Sequence, residues 1–83
     1  MNIKIRAEAL EELRNFPDNV QQKILNKLKF FTSTDDPLKF AHAIKDKKLG
    51  QYRFRIGNYR AIFDVEDNWI VILKIDHRKD IYR

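Results

Sequence analysis

The segment YRFRIGNYRAIF, residues 52–63, decides the fold of this 83-residue chain. Apolar residues alternate with arginines before Gly57-Asn58, and Tyr, Ala and Phe recur at every second position after it. That period is typical of β-strands with one apolar face. Gly and Asn accept the positive φ that two-residue hairpin turns favour. The segment therefore predicts an antiparallel hairpin in which Arg55 lies directly opposite Arg60.

The first half of the chain predicts a short strand followed by a pair of helices. Ile3 and Ile5 alternate with polar residues, as the inward-facing residues of a strand do. Residues 7–16 and 18–33 carry apolar residues at helical spacing, and Pro17 interrupts the pattern between them. Two helices joined by so short a break form an antiparallel hairpin.

The second half predicts a three-stranded meander. Residues 51–56, 59–65 and 69–75 have strand patterns and are separated by short turns. Residues 38–49 have no clear period and are interpreted as an irregular connection with one helical turn. The predicted fold class is α+β: a short N-terminal strand and a two-helix antiparallel hairpin packed on one face of an antiparallel β-sheet.

Size, charge and cysteine content bound the function. The length fits one domain, residues 1–83. The chain has no cysteine, which excludes a disulfide scaffold and a thiolate metal site. It shows neither a signal peptide nor an apolar run long enough to cross a membrane, so we expect a cytoplasmic protein with no membrane partner. The net charge of +5 indicates an anionic partner, such as nucleic acid or an acidic polypeptide.

One face of the predicted sheet carries a cluster of cations. Alternation places the following cations away from the helices: Arg53, Arg55, Arg60 and, if the second turn has three residues, Lys74. Arginine binds phosphate and carboxylate groups through planar, bidentate contacts. Asp64 and Asp76 share this face by parity and could neutralise the cluster as surface ion pairs, but two carboxylates do not balance four cations. The pattern therefore favours an anion-binding face.

The chemistry open to this chain is limited by its side chains. No motif for a phosphate-binding loop or a zinc hydrolase is present, and two isolated histidines make no metal site, so we expect neither metal nor cofactor. His77 borders Arg78 and is a better functional candidate than His42. Tyr82 could exchange a proton with a substrate or could simply dock on the core. These residue types favour phosphodiester cleavage, in which arginines stabilise the pentacoordinate phosphate and a titratable group acts on the 2′-hydroxyl.

Two segments resemble the signature of the RelE family of toxin–antitoxin ribonucleases: LGQYRFRIGNYRAIF at residues 49–63 and IDHRKDIYR at residues 75–83. The order of strand, helix pair, loop and meander extends the resemblance to nearly the whole chain. The resemblance implies a ribosome-dependent endoribonuclease that cuts mRNA in the decoding site by metal-independent 2′-hydroxyl attack and arrests growth by blocking translation. It also implies inhibition by an acidic RelB-like antitoxin in a hetero-oligomer such as a heterotetramer.

The resemblance assigns catalytic roles to Arg60, Arg78 and Tyr82. Arg60 matches the arginine that stabilises the transition state, and Arg78 matches one credited with charge stabilisation or leaving-group protonation. Tyr82 matches the tyrosine that stacks on or activates the nucleotide. The residues expected to contact RNA or phosphate are Arg53, Arg55, Lys74 and His77.

The identity of the general base stays open. Arg53 and Arg55 stand where the resemblance would place lysines, and arginine is a poor base because it hardly deprotonates. The base is then Tyr82 or His77. Two alternatives to the endoribonuclease function also remain. One is a ParE-like toxin that inhibits DNA gyrase, and the other is a catalytically weak member that only binds the ribosome or its antitoxin.

Overall fold

The computed structural model describes residues 1–77, so the predicted site residues Arg78 and Tyr82 lie outside the described residues. This part of the chain forms a five-stranded sheet with two α-helices. The elements are β1 (Asn2–Ile5), α1 (Ala7–Arg14), α2 (Asp18–Ser33), a 3₁₀ turn (Pro37–Phe40), β2 (Ala41–Ala43), β3 (Tyr52–Ile56), β4 (Tyr59–Glu66) and β5 (Trp69–His77). The strand order across the sheet is β1-β5-β4-β3-β2.

The predicted α+β class, with an N-terminal strand and two helices on one face of a sheet, is confirmed, but the sheet is mixed and not antiparallel throughout. β3, β4 and β5 form the predicted meander, but β1 lies parallel to β5, with Ile3 opposite Ile70. The direction of β1 is set by the route of the chain through the helices and not by the residues of the strand. β1 pairs with residues 69–72 of β5, and beyond them α1 packs beside β5.

β2 is a second departure from the predicted elements. Residues 38–49 contain a 3₁₀ turn, as the predicted helical turn suggests, but they also contain a strand that pairs antiparallel with β3, with His42 opposite Arg53. The sequence Ala-His-Ala has none of the β-branched or aromatic residues that mark a strand. Its pairing with β3 is therefore a product of the tertiary structure.

The two helices cover one face of the sheet, as predicted. Phe54 of β3 is fully buried and stacks between Phe31 of α2 and Phe63 of β4, with ring centroids 4.6 Å and 4.4 Å away. The other large side chains that are fully buried are Leu13, Ile24, Leu28, Ile56, Ile62, Ile70, Ile72 and Ile75. All of these except Ile62 belong to the core beneath the helices.

The β2–β3 loop (residues 44–51) covers the middle of the opposite face. A Cβ atom on Gly50 would lie 2.7 Å from Cγ2 of the buried Ile62, so only glycine lets the loop come this close. The backbone N–H of Gln51 donates to Oδ1 of Asp64 at 2.8 Å. The loop therefore occupies the centre of the predicted anion-binding face and leaves the end near the β3–β4 turn open.

We expect Phe54→Ala to lower the free energy of unfolding by about 3–5 kcal/mol, because it removes the centre of the aromatic stack and leaves a cavity. Phe30→Ala is the matched control, since Phe30 is 52% exposed, and its loss should be clearly smaller. Urea unfolding of both variants measures the difference. Equal losses would contradict the assignment of Phe54 to the core.

Candidate functional site

The β3–β4 hairpin has the predicted register. It turns at Gly57-Asn58, Gly57 has a φ of 59°, and Arg55 lies directly opposite Arg60. Arg55 is exposed, whereas Arg53 and Arg60 are partly buried. Lys23 of α2 also reaches this turn, because a Cβ on Gly57 would lie 2.9 Å from its Nζ. The hairpin end is therefore rich in cations, and Lys23 is a contribution that sequence analysis missed.

A β-bulge in β5 decides what lies opposite Arg60. The β4–β5 turn has two residues, one fewer than predicted, since Glu66 pairs with Trp69. The register then shifts between Ile62 and Phe63, which places Asp76 opposite Arg60 and Lys74 opposite Ile62. The prediction that Lys74 lies beside Arg60 is therefore wrong.

Arg60 and Asp76 form a two-point ion pair. Nε of Arg60 donates to Oδ1 of Asp76 at 2.9 Å, and Nη2 donates to Oδ2 at 3.4 Å. The two side chains are only 16% and 12% exposed. Two parallel hydrogen bonds fix the plane of the guanidinium as well as its position. The charge of Arg60 is thus compensated, in agreement with the alternative in which Asp76 neutralises part of the cation cluster.

Lys74 is tied to α1. Its Nζ donates to Oε2 of Glu12 at 2.6 Å, and the other oxygen of Glu12 accepts the backbone N–H of Ile75 at 3.2 Å. The hydrogen bond to Glu12 raises the pKa of Lys74 above its ordinary value of 10.5, against an opposing effect of burial. Glu12 therefore clamps the bulged part of β5 to α1. A role for Lys74 in phosphate binding stays a prediction.

His77 lies away from the arginines. It pairs with Tyr59 across β4 and β5, and the two rings meet edge to face with centroids 4.9 Å apart. Tyr59 in turn contacts Phe16, with centroids 5.0 Å apart, next to the helices. Because side chains alternate along a strand, His77 and Asp76 project to opposite faces of the sheet. The described structure therefore brings Arg53, Arg55 and Arg60 together but does not group His77 with them.

Residues 1–77 contain no cluster of three or more His, Cys, Asp or Glu side chains arranged to hold a metal ion. Within the same range, neither helix combines the length and apolar character needed to span a membrane. Sequence analysis missed the role of Glu12 and considered Asp76 only as a member of a surface ion pair, without a specific partner. Both are acidic residues whose importance depends on the register of β5.

Comparison with known families assigns the chain to a known class of protein. Residues 3–82 match the family described as ParE toxin of type II toxin-antitoxin system, parDE. The match spans nearly the whole chain. The protein therefore belongs to this family and is a type II toxin of the RelE/ParE superfamily.

Individual relatives carry RelE-type names. The chain is 26% identical over 83 residues to Toxin RelG of Mycobacterium tuberculosis, covering 98% of this chain and 94% of the relative. Its fold is similar to that of the toxin–antitoxin complex RelBE2 from M. tuberculosis, with a TM-score of 0.76 at 23% identity over 93% of this chain and 96% of that one. It is also similar to the archaeal RelE–RelB complex from Pyrococcus horikoshii OT3, with a TM-score of 0.71 at 27% identity over 93% of each chain.

The Lys74–Glu12 pair predicts a pH dependence of stability. The pKa of Lys74 is raised above 10.5 in the folded protein, so the contribution of the pair is fully present below pH 10.5 and is lost as the pH rises through the folded-state pKa. Glu12→Gln should lower the free energy of unfolding at pH 7 by about 1 kcal/mol or less, because Lys74 is half exposed. That deficit should shrink above pH 10.5.

Chemical denaturation of the wild type and Glu12→Gln over a range of pH measures this deficit. Glu11→Gln, which removes an exposed carboxylate from the same helix, is the matched control and should show no such change. A Glu12→Gln deficit that stays constant through the alkaline range would contradict the interpretation.

Proposed function

We propose that this toxin is a ribosome-dependent endoribonuclease that cleaves mRNA in the decoding site by metal-independent attack of a 2′-hydroxyl. The observation that carries the proposal is the arginine cluster at the β3–β4 hairpin, where Arg55 lies opposite Arg60 and Asp76 fixes the guanidinium of Arg60. In the sequence, the other two residues with assigned catalytic roles, Arg78 and Tyr82, come one and five positions after the last residue of β5. The similarity to proteins named RelG and RelE supports this choice of substrate.

The proposed reaction is an internal transfer at phosphorus. The 2′-oxygen attacks the adjacent phosphorus as its proton passes to a base, the bond to the 5′-oxygen breaks, and that oxygen takes up a proton from Arg78 or from water. Arg60 would donate hydrogen bonds to the non-bridging oxygens, where negative charge grows in the transition state. Arg53 and Arg55 would hold the neighbouring phosphates. Tyr82 is the proposed base, since His77 projects to the other face of the sheet from Asp76.

We propose that an acidic RelB-like antitoxin neutralises the toxin in a hetero-oligomer such as a heterotetramer. The structures of similar fold are complexes of RelE-type toxins with RelB-type antitoxins. An open groove along α2, lined by Lys23, Lys27 and the half-exposed Phe30, offers apolar and cationic surface to an amphipathic acidic segment. The proposed place of action is the cytoplasm, where ribosomes translate mRNA.

A second candidate function is inhibition of DNA gyrase, in the manner of ParE toxins. One observation favours it: the family model that matches residues 3–82 is described as ParE toxin. A third candidate function is to occupy the ribosome without cutting mRNA. The three differ in which molecule changes when the toxin is expressed.

The first expected result is translation-dependent cleavage of mRNA when the toxin is expressed alone. Arg60→Ala should lower the cleavage rate about a hundredfold to a thousandfold, because it removes a donor that stabilises the transition state. Primer extension on an induced transcript and cleavage on purified ribosomes measure this. Arg14→Ala, an exposed arginine at the end of α1, is the matched control and should cleave normally.

Thermal midpoints of both variants separate a lost activity from a lost fold, since Arg60→Ala also leaves Asp76 unpaired. Intact mRNA together with inhibited gyrase in a supercoiling assay would assign the toxin to the ParE-like function. Arrested growth with intact mRNA and normal supercoiling would indicate that the toxin occupies the ribosome without cutting mRNA.

A second expected result concerns the partner. An acidic antitoxin co-expressed with the toxin should co-purify and raise its thermal midpoint, because a ligand that binds only the folded state stabilises it. Replacing both Lys23 and Lys27 with glutamate should weaken the complex by reversing the charge of the groove, whereas the same change at Lys45 and Lys47 should not. Equal affinity for the two double variants would contradict the α2 groove as the docking site.

A further inference from the structure

We infer that Asp76 is a positioning residue for Arg60, an inference that rests on the proposed function. The ion pair with Asp76 turns the guanidinium of Arg60 so that its remaining N–H groups face the scissile phosphate. Arginine has five N–H donors in a fixed fork. The pair with Asp76 uses Nε–H and one N–H of Nη2. Both donors on Nη1 and the second on Nη2 remain, and they form the edge that matches two oxygens of a phosphate.

The strand order places groups of opposite charge on the two sides of Arg60. β4 lies between β3 and β5, so Arg60 has the cation Arg55 on one side and the carboxylate Asp76 on the other. Two arginines directly across a strand pair repel each other. The ion pair holds the guanidinium of Arg60 on the β5 side, and in the proposed complex the phosphate would approach from the β3 side and meet both arginines.

The bulge in β5 is what brings Asp76 into place. Counting back from the Glu66–Trp69 pair, an unbroken ladder would put Ile75 opposite Arg60, and the guanidinium would face an apolar side chain. Glu12 accepts the backbone N–H of Ile75, the residue next to Asp76, and so anchors the backbone at this point to α1. The position of Asp76 is therefore built by a helix, a bulge and a strand together.

A purely structural ion pair is the competing explanation. The pair is mostly buried, so loss of either partner should also lower stability. Stability alone cannot distinguish the two explanations. The test therefore needs a kinetic measurement and a direct measurement on the side chain of Arg60.

The kinetic test compares Asp76→Ala and Asp76→Asn with Glu66→Gln, which removes an exposed carboxylate from β4 and is the matched control. Asp76→Ala should lower kcat about a hundredfold, because a misplaced catalytic group loses its alignment, and KM should change less than kcat. Asp76→Asn retains one acceptor and should recover part of the rate. In an Arg60→Ala background, Asp76→Ala should cost nothing more, since residues that act as a unit are not additive.

Effects of Arg60→Ala and Asp76→Ala that multiply would overturn the inference, because Asp76 would then act on the reaction independently of Arg60. An unchanged kcat in Asp76→Ala would overturn it as well.

The second measurement does not depend on cleavage. In ¹⁵N NMR spectra the Nε–H of Arg60 should exchange slowly with water in the wild type and in Glu66→Gln, and faster in Asp76→Asn and Asp76→Ala. Identical exchange in the wild type and Asp76→Ala would overturn the positioning role. If the wild type does not cleave mRNA at all, the proposed function fails, and this measurement still decides whether Asp76 holds Arg60.

Discussion

The stacking of Phe54 between Phe31 and Phe63 is the contact on which the rest of the structure depends. It fixes α2 to the middle of the sheet and commits every second residue of β3 to the core. Since side chains alternate along a strand, the same contact turns Arg53 and Arg55 to the other face. The same contact therefore determines both the core and the cation cluster. A change that turned Phe54 to the other face of the sheet would bury the arginines.

The bulge in β5 is a second constraint, and it links the scaffold to the site. It lets Ile72 and Ile75 both face the core although they are three residues apart, and it brings Asp76 opposite Arg60. Glu12 stabilises the bulge by binding the side chain of Lys74 and the backbone of Ile75. Bulges often re-aim side chains next to functional sites, and this bulge sets the partner of Arg60.

The hairpin, the apolar face and the arginine cluster could be predicted because side chains alternate regularly within each of the two strands in residues 52–63 and the turn residues fix the register between them. That Asp76 pairs with Arg60 in particular could not be predicted, because residues 70–75 carry apolar side chains on both faces and the β-bulge among them leaves no mark in the pattern. β2 was missed because tertiary pairing overrides weak local propensity. The parallel placement of β1 depends on the path of the connection, which periodicity does not report.

The pairing of β1 with β5 also has a consequence for the order of folding. Residues 2–5 pair with residues 69–72, which lie 67 positions later in the sequence. Contacts of such long sequence separation form late, because the entropy of closing the loop must be overcome first. During synthesis, β1 has no sheet to join until β5 has left the ribosomal exit tunnel. A nascent chain therefore cannot complete its sheet until β5 has been synthesised and is free to pair with β1.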